Sequence, residues 1–339
     1  MAEYKEIVGT KIKNYTTNPD NTDTGQVWYN ETDNVLKFEY PNVTTAGSWA
    51  SSADLNAVKM YVAGAGTASN AVVFGGSPSA PAAPQIGDTE LWDGSTWTEV
   101  NNLNSGRSVL GGAGIYTSAL AFGGTIFPSG PNGPNTFTES WNGTNWTEVN
   151  DLNAARNALT GCGASNTAVL AFGGEGPSVP NTANTETWNG TNWTEVNNLN
   201  TGRRSLVGQG TSTAALGTGG INASPVTTAN ELWNGTNWTE VNDINTARRS
   251  LSSAGTSTAG LVFGGSASGR NAQTELWNGT NWTEQNDLGT ARSDAAAPGA
   301  GSQPSALMSG GYDGSSVVAS VEEWTGAGAN IGAWATGGN

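Results

Sequence analysis

Basic side chains recur at a fixed distance after a Trp in this sequence, and their spacing fits two kinds of chemistry. Of thirteen Lys and Arg residues, six lie ten residues after a Trp, at Lys59, Arg107, Arg156, Arg203, Arg248 and Arg292. In a closed ring of repeats these cations would lie near one end of a central channel, where they could bind an anion or an acidic glycan. Alternatively, each could pair with a recurring carboxylate, at Glu90, Glu139, Glu186, Glu231, Glu275 and Glu323. Because buried Arg usually has an ionic partner, the pairs are favoured, and the six cations remain candidate binding residues.

Catalytic chemistry finds little support in the residue types present. The chain has no His, which excludes a Ser-His-Asp triad and a copper centre with His ligands. Cys162 is the single Cys, so we expect no intrachain disulfide and no Cys-based zinc site. A carboxylate pair for glycoside cleavage stays open, with the non-repeated Asp88 and Glu175 as its candidates. We predict no catalytic residue, no metal ligand and no cofactor, and we expect that the chain is not an enzyme.

Aromatic residues could bind sugars by stacking, but most of them recur too regularly for that role. The chain has 14 Trp residues, and strictly repeated Trp pairs favour a place in the core. Insertions in repeat proteins often form one binding face, and the longest insertions here are 77–85, 126–135 and 176–184. Phe127 is the one aromatic residue among them, and it completes the set of candidate binding residues.

A sequence repeat predicts the elements that position these residues. Its marker Trp recurs every 44–49 residues, at Trp49, Trp97, Trp146, Trp193, Trp238 and Trp282. Each marker is followed by Leu or Ile at +6, by the cation at +10, and then by a Gly pair such as Gly173-Gly174. The chain therefore contains six units of one design.

Each unit predicts four short β-strands. In the third unit these are an apolar strand at 168–172, a strand at 185–188, a strand at 192–196 and a small-residue strand near 205–210. Asn189-Gly190 between the middle two is a strong hairpin signal. Small residues suit the innermost strand, where blades converge on a narrow channel. Four strands at this period match a propeller blade, so we predict an all-β, six-bladed β-propeller.

The order of motifs in each unit resembles that of kelch repeats. A Gly pair is followed by an aromatic residue in the next strand, by Trp about five residues on, and by Arg before the next blade. The resemblance covers roughly residues 49–334 and implies a kelch-like propeller. Two features depart from kelch repeats: the aromatic residue, usually Tyr, is Trp here, and Leu216-Gly217-Thr218 replaces an apolar run in the fourth unit.

Two strands compete for the outer position of the sixth blade. The segment around Trp334 looks like the segment around Trp49, so either strand could close the ring. A seventh, partial blade built around Trp28 and Trp49 is the main alternative to six blades. We assign residues 49–339 to the propeller of six repeats and residues 1–48 to a separate N-terminal segment.

The N-terminal segment breaks the repeat and predicts a β-hairpin from residues 24–30 and 34–38. Its string Gly25-Gln26-Val27-Trp28-Tyr29-Asn30 resembles segments of tail-fibre and other structural proteins of bacteriophages. Together with the near-identical repeats that follow, the design is similar to structural proteins of marine phages. The resemblance implies that residues 1–48 attach the chain to other virion proteins.

Charge and the N-terminus limit the partners that we expect. The formal net charge is -15, which argues against nucleic acid and against an anionic membrane, because both require clustered Lys and Arg. The first residues show no signal-peptide pattern. We therefore expect synthesis in a host cytoplasm, followed by a place in the virion.

These observations and the phage resemblance predict a virion structural protein. We expect a tail-fibre or appendage component whose propeller contacts a glycan or protein of the host surface, with homo-oligomers possible. The alternative is a capsid decoration or assembly protein that binds other virion proteins. A glycan-degrading enzyme is the third hypothesis, and it depends on the carboxylate pair.

Overall fold

The computed structural model describes residues 13–16, 27–32, 34–40, 47–79, 84–126, 133–222, 226–297, 305–326 and 333–336. The chain forms two units, one of residues Ser48–Gly326 and one of residues Met1–Gly47 with Ala327–Asn339. The described residues form strands, bridges and turns, and none of them belongs to a helix long and apolar enough to cross a membrane.

The strands are numbered in chain order. Before blade 1 in the chain lie β1 (Lys13–Tyr15), β2 (Val27–Asn30), β3 (Val35–Tyr40) and β4 (Ser48–Ser52). Blade 1 contains β5 (Ala63–Thr67), β6 (Asn70–Phe74), β7 (Thr89–Trp92) and β8 (Trp97–Val100). Blade 2 contains β9 (Gly111–Ile115), β10 (Ser118–Phe122), β11 (Thr138–Trp141) and β12 (Trp146–Val149). Blade 3 contains β13 (Thr160–Ser165), β14 (Ala168–Phe172), β15 (Thr185–Trp188) and β16 (Trp193–Val196).

The remaining strands complete the ring and the second unit. Blade 4 contains β17 (Val207–Thr211), β18 (Ala214–Thr218), β19 (Asn230–Trp233) and β20 (Trp238–Val241). Blade 5 contains β21 (Ser252–Gly255), β22 (Gly260–Phe263), β23 (Thr274–Trp277) and β24 (Trp282–Glu284). Blade 6 contains β25 (Ser305–Ser309) and β26 (Val321–Thr325), and the last described strand is β27 (Ala333–Thr336).

Six antiparallel sheets form the closed ring of a β-propeller. The first strands of blades 1 to 5 are innermost, and each contacts the first strand of the next blade. In blade 6 the described residues at this inner position form one bridge, between Ala296 and Ser309. The prediction of an all-β, six-bladed propeller is confirmed, and the seven-bladed alternative is wrong.

The Trp49 strand, not the Trp334 strand, closes blade 6. Strand β4 pairs with β26 in the register Trp49–Trp324, so the sheet order is β25-β26-β4. The indole Nε1 of Trp49 donates to Thr274 Oγ1 of blade 5 at 2.9 Å, and its ring lies 4.7 Å from that of Phe263. The first described repeat strand therefore joins the last blade.

Gly-rich inner strands allow the blades to approach each other closely. At Gly112 a Cβ atom would lie 2.8 Å from the Phe74 ring and 2.9 Å from the Cβ of Ala63, both in blade 1. Any larger residue at this position would force the two blades apart. The small-residue strand predicted from sequence is thus a packing requirement of the ring.

The repeated Trp-Asn-Gly-Thr-Asn-Trp segments form the predicted hairpins, but with a four-residue loop. In blade 3, Trp188 pairs with Trp193 across the loop. The side chain of Asn189 accepts hydrogen bonds from the backbone N–H groups of Thr191 and Asn192, both at 2.9 Å. Of Asn189 and Gly190, only Gly190 has a positive φ, at 92°. Asn thus serves as a side-chain acceptor in an Asx turn.

The other unit is a four-stranded sheet of order β1-β2-β3-β27. Its β2–β3 hairpin, with Val27 opposite Phe38, agrees with the predicted hairpin. Strand β27 pairs with β3 in the register Ala333–Tyr40. The segment around Trp334, which the sequence prediction included in the propeller range 49–339, thus pairs within the unit of the N-terminal strands.

Candidate functional site

Each of the six repeated cations forms an ion pair with a repeated carboxylate. The pairs and their N–O distances are Lys59–Glu90 2.6 Å, Arg107–Glu139 3.2 Å, Arg156–Glu186 2.7 Å, Arg203–Glu231 2.9 Å, Arg248–Glu275 2.6 Å and Arg292–Glu322 3.0 Å. In the sixth pair the partner is Glu322 rather than the expected Glu323, whose carboxylate accepts from Ser52 Oγ at 2.7 Å. All six cations are at most 1% exposed, so they have almost no surface for contact with a ligand.

The cations hold neighbouring blades together, as Arg203 illustrates. It lies in the link between blades 3 and 4, and its guanidinium donates to Glu231 Oε1 at 2.9 Å and to the carbonyl of Ala229 at 2.7 Å, both in blade 4. The Arg203 carbonyl accepts from the N–H of Gly174 in blade 3 at 2.8 Å. At the closure of the ring, the Lys59 carbonyl accepts from Gly311 N–H in the same way, at 2.9 Å.

Burial changes the pKa of the arginines in these pairs. Desolvation lowers the pKa of Arg203, and the nearby charge of Glu231 opposes that effect. The second carboxylate oxygen of Glu231 accepts from the backbone N–H of Asn200 at 2.7 Å. Several hydrogen bonds thus compensate the charge of a carboxylate that would be costly to bury alone.

Eleven of the twelve repeated Trp residues are buried in the core, and Trp49 is half-buried. The ring centroids of Trp188 and Trp193 are 5.4 Å apart, and these two residues are 3% and 6% exposed. Trp188 Nε1 donates to the carbonyl of Asn166 at 2.8 Å, while Trp193 Nε1 donates to Thr138 Oγ1 of blade 2 at 3.1 Å. Neither indole ring presents a face on which a sugar could stack.

The residues considered for catalysis lie in separate surroundings. Asp88 lies in blade 1, where its carboxylate accepts a hydrogen bond from the Asn102 amide at 3.2 Å. Glu175 lies in blade 3, and its carboxylate is 3.7 Å from Arg204 Nε. Burial raises the pKa of the Cys162 thiol to about 12, so the thiol stays protonated at neutral pH. Among the described residues, no group of three or more His, Cys, Asp and Glu side chains could hold a metal ion.

Described residues of three variable loops between second and third strands lie together at one end of the ring. A groove of about 330 Å³ is lined by residues of three such loops, including Ser77, Thr125 and Glu175. Val179, in the loop of blade 3, is 52% exposed. Phe127 lies outside the described residues, so its candidate role stays a prediction.

The mouth of the central channel is formed by six equivalent residues, one from each link between blades. They are Tyr61, Val109, Ala158, Ser205, Ser250 and Asp294, and all six are half-buried. Each is two residues after a repeated cation. We call this set the mouth ring.

Backbone hydrogen bonds close the mouth ring. Val109 N–H donates to the Tyr61 carbonyl at 2.9 Å, and the same bond connects each later member to the one before it. Tyr61 N–H donates to the Asp294 carbonyl at 2.8 Å, which completes the circle. Six peptide groups therefore fix the diameter of the opening, whatever the side chains are.

Below the mouth ring lies an apolar collar, formed by the next residue of each link. Its members are Val62, Leu110, Leu159, Leu206, Leu251 and Ala295, which line both the mouth pocket of about 120 Å³ and the channel cavity of about 140 Å³. Five of the six are only 6–9% exposed and belong to the hydrophobic cores of the blades, so the collar presents only a narrow apolar edge to the mouth.

Sequence reasoning missed the mouth ring, although a signal was present. Between the repeated cation and the collar residue, each unit has two positions, and both vary among units while their neighbours hardly change. In the third unit these are Asn157 and Ala158, and in the sixth Ser293 and Asp294. Variation at fixed positions of a strict repeat indicates residues that the fold itself does not specify.

No protein-family model and no curated protein matches this sequence. Among solved structures, the chain is similar to the structure of YjhT, with a TM-score of 0.65 and 13% sequence identity. The match covers 80% of this chain and 96% of the YjhT chain. At this identity the similarity concerns the propeller fold alone.

Proposed function

We propose that the chain is a structural protein of a bacteriophage virion. In this proposal it is a component of a tail fibre or another appendage, and its propeller is displayed for contact with the host cell surface. The N-terminal segment of residues 1–48 attaches it to other virion proteins. The phage assignment rests on the resemblance of residues 25–30 and of the repeats to phage structural proteins.

The display role is carried by one observation: six equivalent positions at the mouth of the channel, and the loops beside them, differ among repeats. The repeated cations, carboxylates and Trp residues contact each other within and between blades, so they are occupied by the fold. The residues of the mouth ring and of the adjoining groove differ among repeats. This division supports a rigid scaffold that carries a recognition surface at one end.

Weak contacts would suffice for such a protein. A particle that carries several copies binds a surface with an avidity far above the affinity of one copy. A scaffold with its blades linked by buried ion pairs loses little conformational freedom on binding, which favours each single contact.

Immunogold electron microscopy of intact particles of the source phage tests this proposal. The antibody is raised against the propeller, and the control is antibody that has been preadsorbed with purified chain. We expect label on fibres or on the tail. Label on the head would favour capsid decoration instead, and particles without label would overturn the virion assignment.

A further inference from the structure

Every member of the mouth ring adopts a left-handed backbone conformation, yet none is Gly. Their φ angles are Tyr61 57°, Val109 57°, Ala158 49°, Ser205 52°, Ser250 50° and Asp294 60°. This conformation costs energy for any residue with a Cβ atom, most of all for a β-branched residue. The chain places Gly at positive φ elsewhere, for example at Gly66 and Gly75, so its use of larger residues here needs a reason. Strain of this kind concentrates at binding and catalytic sites.

The mouth ring is polar along one arc and apolar along the other. Ser205, Ser250, Asp294 and Tyr61 follow each other around the ring and supply three hydroxyl groups and one carboxylate. The remaining arc consists of Val109 and Ala158. Below both lies the apolar collar. A ligand with hydroxyl groups at its edge and one apolar face would match this arrangement.

Charges around the polar arc favour a neutral ligand. The carboxylate of Asp294 lies in the ring itself and accepts a hydrogen bond from Ser293 Oγ at 2.6 Å, which fixes its orientation. Burial raises the pKa of Tyr61, and Asp294 raises it further, so the phenol stays protonated and can donate. Of the two cations that act on Tyr61, Arg270 lies over the Tyr312 ring at 4.7 Å, and neither it nor Arg249 lines the mouth pocket, where Asp294 is the one charged residue among those described. An anionic group at the mouth would therefore meet Asp294.

The small volume of the mouth pocket limits the part of a ligand that enters it to a single cyclic unit. Pockets for drug-sized ligands measure roughly 300–1,000 Å³, whereas the mouth pocket measures about 120 Å³. The groove of about 330 Å³ shares Tyr61, Val109, Ala158 and Ser205 with the mouth pocket. It extends from the mouth over the loops of blades 1 to 3, so it offers a path for further units of a chain.

We propose that the channel mouth binds a terminal, neutral pyranose residue of a glycan. Asp294, Ser250, Ser205 and Tyr61 hydrogen-bond its hydroxyl groups, and its apolar face lies against the half-buried Val109 and Ala158. The rest of the glycan follows the groove toward Glu175. This inference rests on the proposed function only for the source of the glycan, which is the host surface.

Saturation-transfer NMR and calorimetry of the full-length chain test the site with a panel of methyl pyranosides. The panel contains neutral hexosides, an N-acetylhexosaminide and, as acidic probes, a glucuronide and a sialoside. We expect at least one neutral pyranoside to bind. In Asp294→Gly, which removes the side chain and suits the left-handed backbone, its affinity falls about tenfold or more, because a charge-assisted hydrogen bond is lost.

Two control variants separate binding from folding. Ser250→Gly removes one hydroxyl from the same arc, and we expect it to weaken binding about threefold to tenfold. Asp287→Ala removes an exposed carboxylate that does not line the mouth and leaves binding unchanged. Circular dichroism and thermal melting show whether each variant is folded, and glycine at positive φ predicts that both mouth variants are.

Each outcome either supports the site or overturns it. Binding of acidic probes alone overturns the neutral class, and equal affinity for wild type and Asp294→Gly overturns the position. If no probe binds, labelled full-length chain is tested on host cells, and the site is wrong unless Asp294→Gly reduces cell binding. If sugar binding at the mouth is found but particles carry no immunogold label, the site stands and the virion assignment falls.

Discussion

Arg203 and Arg204 are adjacent in the chain but lie in opposite environments. Arg203 is fully buried against Glu231 at 2.9 Å. The side chain of Arg204 is 25% exposed and lies 3.7 Å from Glu175, which is itself 40% exposed. A buried charge that loses its partner costs far more than an exposed one, so these neighbours provide a matched comparison.

We predict that Arg203→Ala lowers the free energy of unfolding by about 3–5 kcal/mol, because Glu231 is left buried without its counter-charge. Arg204→Ala should cost no more than about 1 kcal/mol, as expected of an exposed pair. Urea denaturation of both variants, followed by Trp fluorescence, measures the difference.

The double variant Arg203→Met with Glu231→Leu serves as the control for packing. Replacing both charges with apolar residues of similar size removes the unpaired charge, so most of the lost stability should return. Equal losses in Arg203→Ala and Arg204→Ala would contradict the role given to the buried pairs.

At the residue scale, sequence reasoning succeeded where the chemistry repeats. It favoured ion pairs for the cations and a core position for the Trp residues, because both recur without exception. It chose Glu323 instead of the adjacent Glu322, although the repeat points to Glu322: in the other five units the paired Glu lies two residues before its Trp, as Glu322 does before Trp324. It could not find the left-handed conformation of Val109, because ring hydrogen bonds, not local sequence, impose that φ.

At the element scale, the closure of blade 6 shows a similar limit. The segments around Trp49 and Trp334 look alike, so local pattern left the choice open. The contacts that select Trp49 come from blade 5, through Thr274 and Phe263, and these residues are more than 200 positions away in the chain.

Truncation tests this closure. A variant that lacks residues 1–46 and 327–339 retains β4, and we expect its propeller to melt at the wild-type temperature. A variant that lacks residues 1–53 and 327–339 also loses β4, which exposes Trp324 and Phe263. We predict a melting temperature lower by about 10 °C or more, since several kcal/mol of packing and pairing are lost.

Differential scanning calorimetry and size-exclusion chromatography measure both truncations. Each truncation serves as the control for the other, because the two differ only by the seven residues 47–53. Equal melting temperatures would mean that β4 does not close the ring.

At the scale of the whole molecule, charge protects the exposed rim of the ring. The outer strands of the blades have unpaired edges, and strands such as β16 expose Thr194 and Glu195 there. Charged residues on edge strands oppose pairing with other chains. A net charge of -15 acts in the same direction, because like-charged chains repel each other.

The proposed function assigns one end of the ring to recognition. The blades are fastened to each other by repeated contacts, whereas the mouth ring and loops are not repeated. A protein of this kind should bind the host surface by itself, apart from the particle.

The most direct test is a competition between the purified full-length chain and phage particles for host cells. Cells are incubated with increasing amounts of chain, phage is added, and unadsorbed particles are counted. We predict that saturating chain slows adsorption about tenfold or more, because it occupies the receptors that the particles need. Unchanged adsorption at concentrations far above that of the particles would contradict a host-binding role for the propeller.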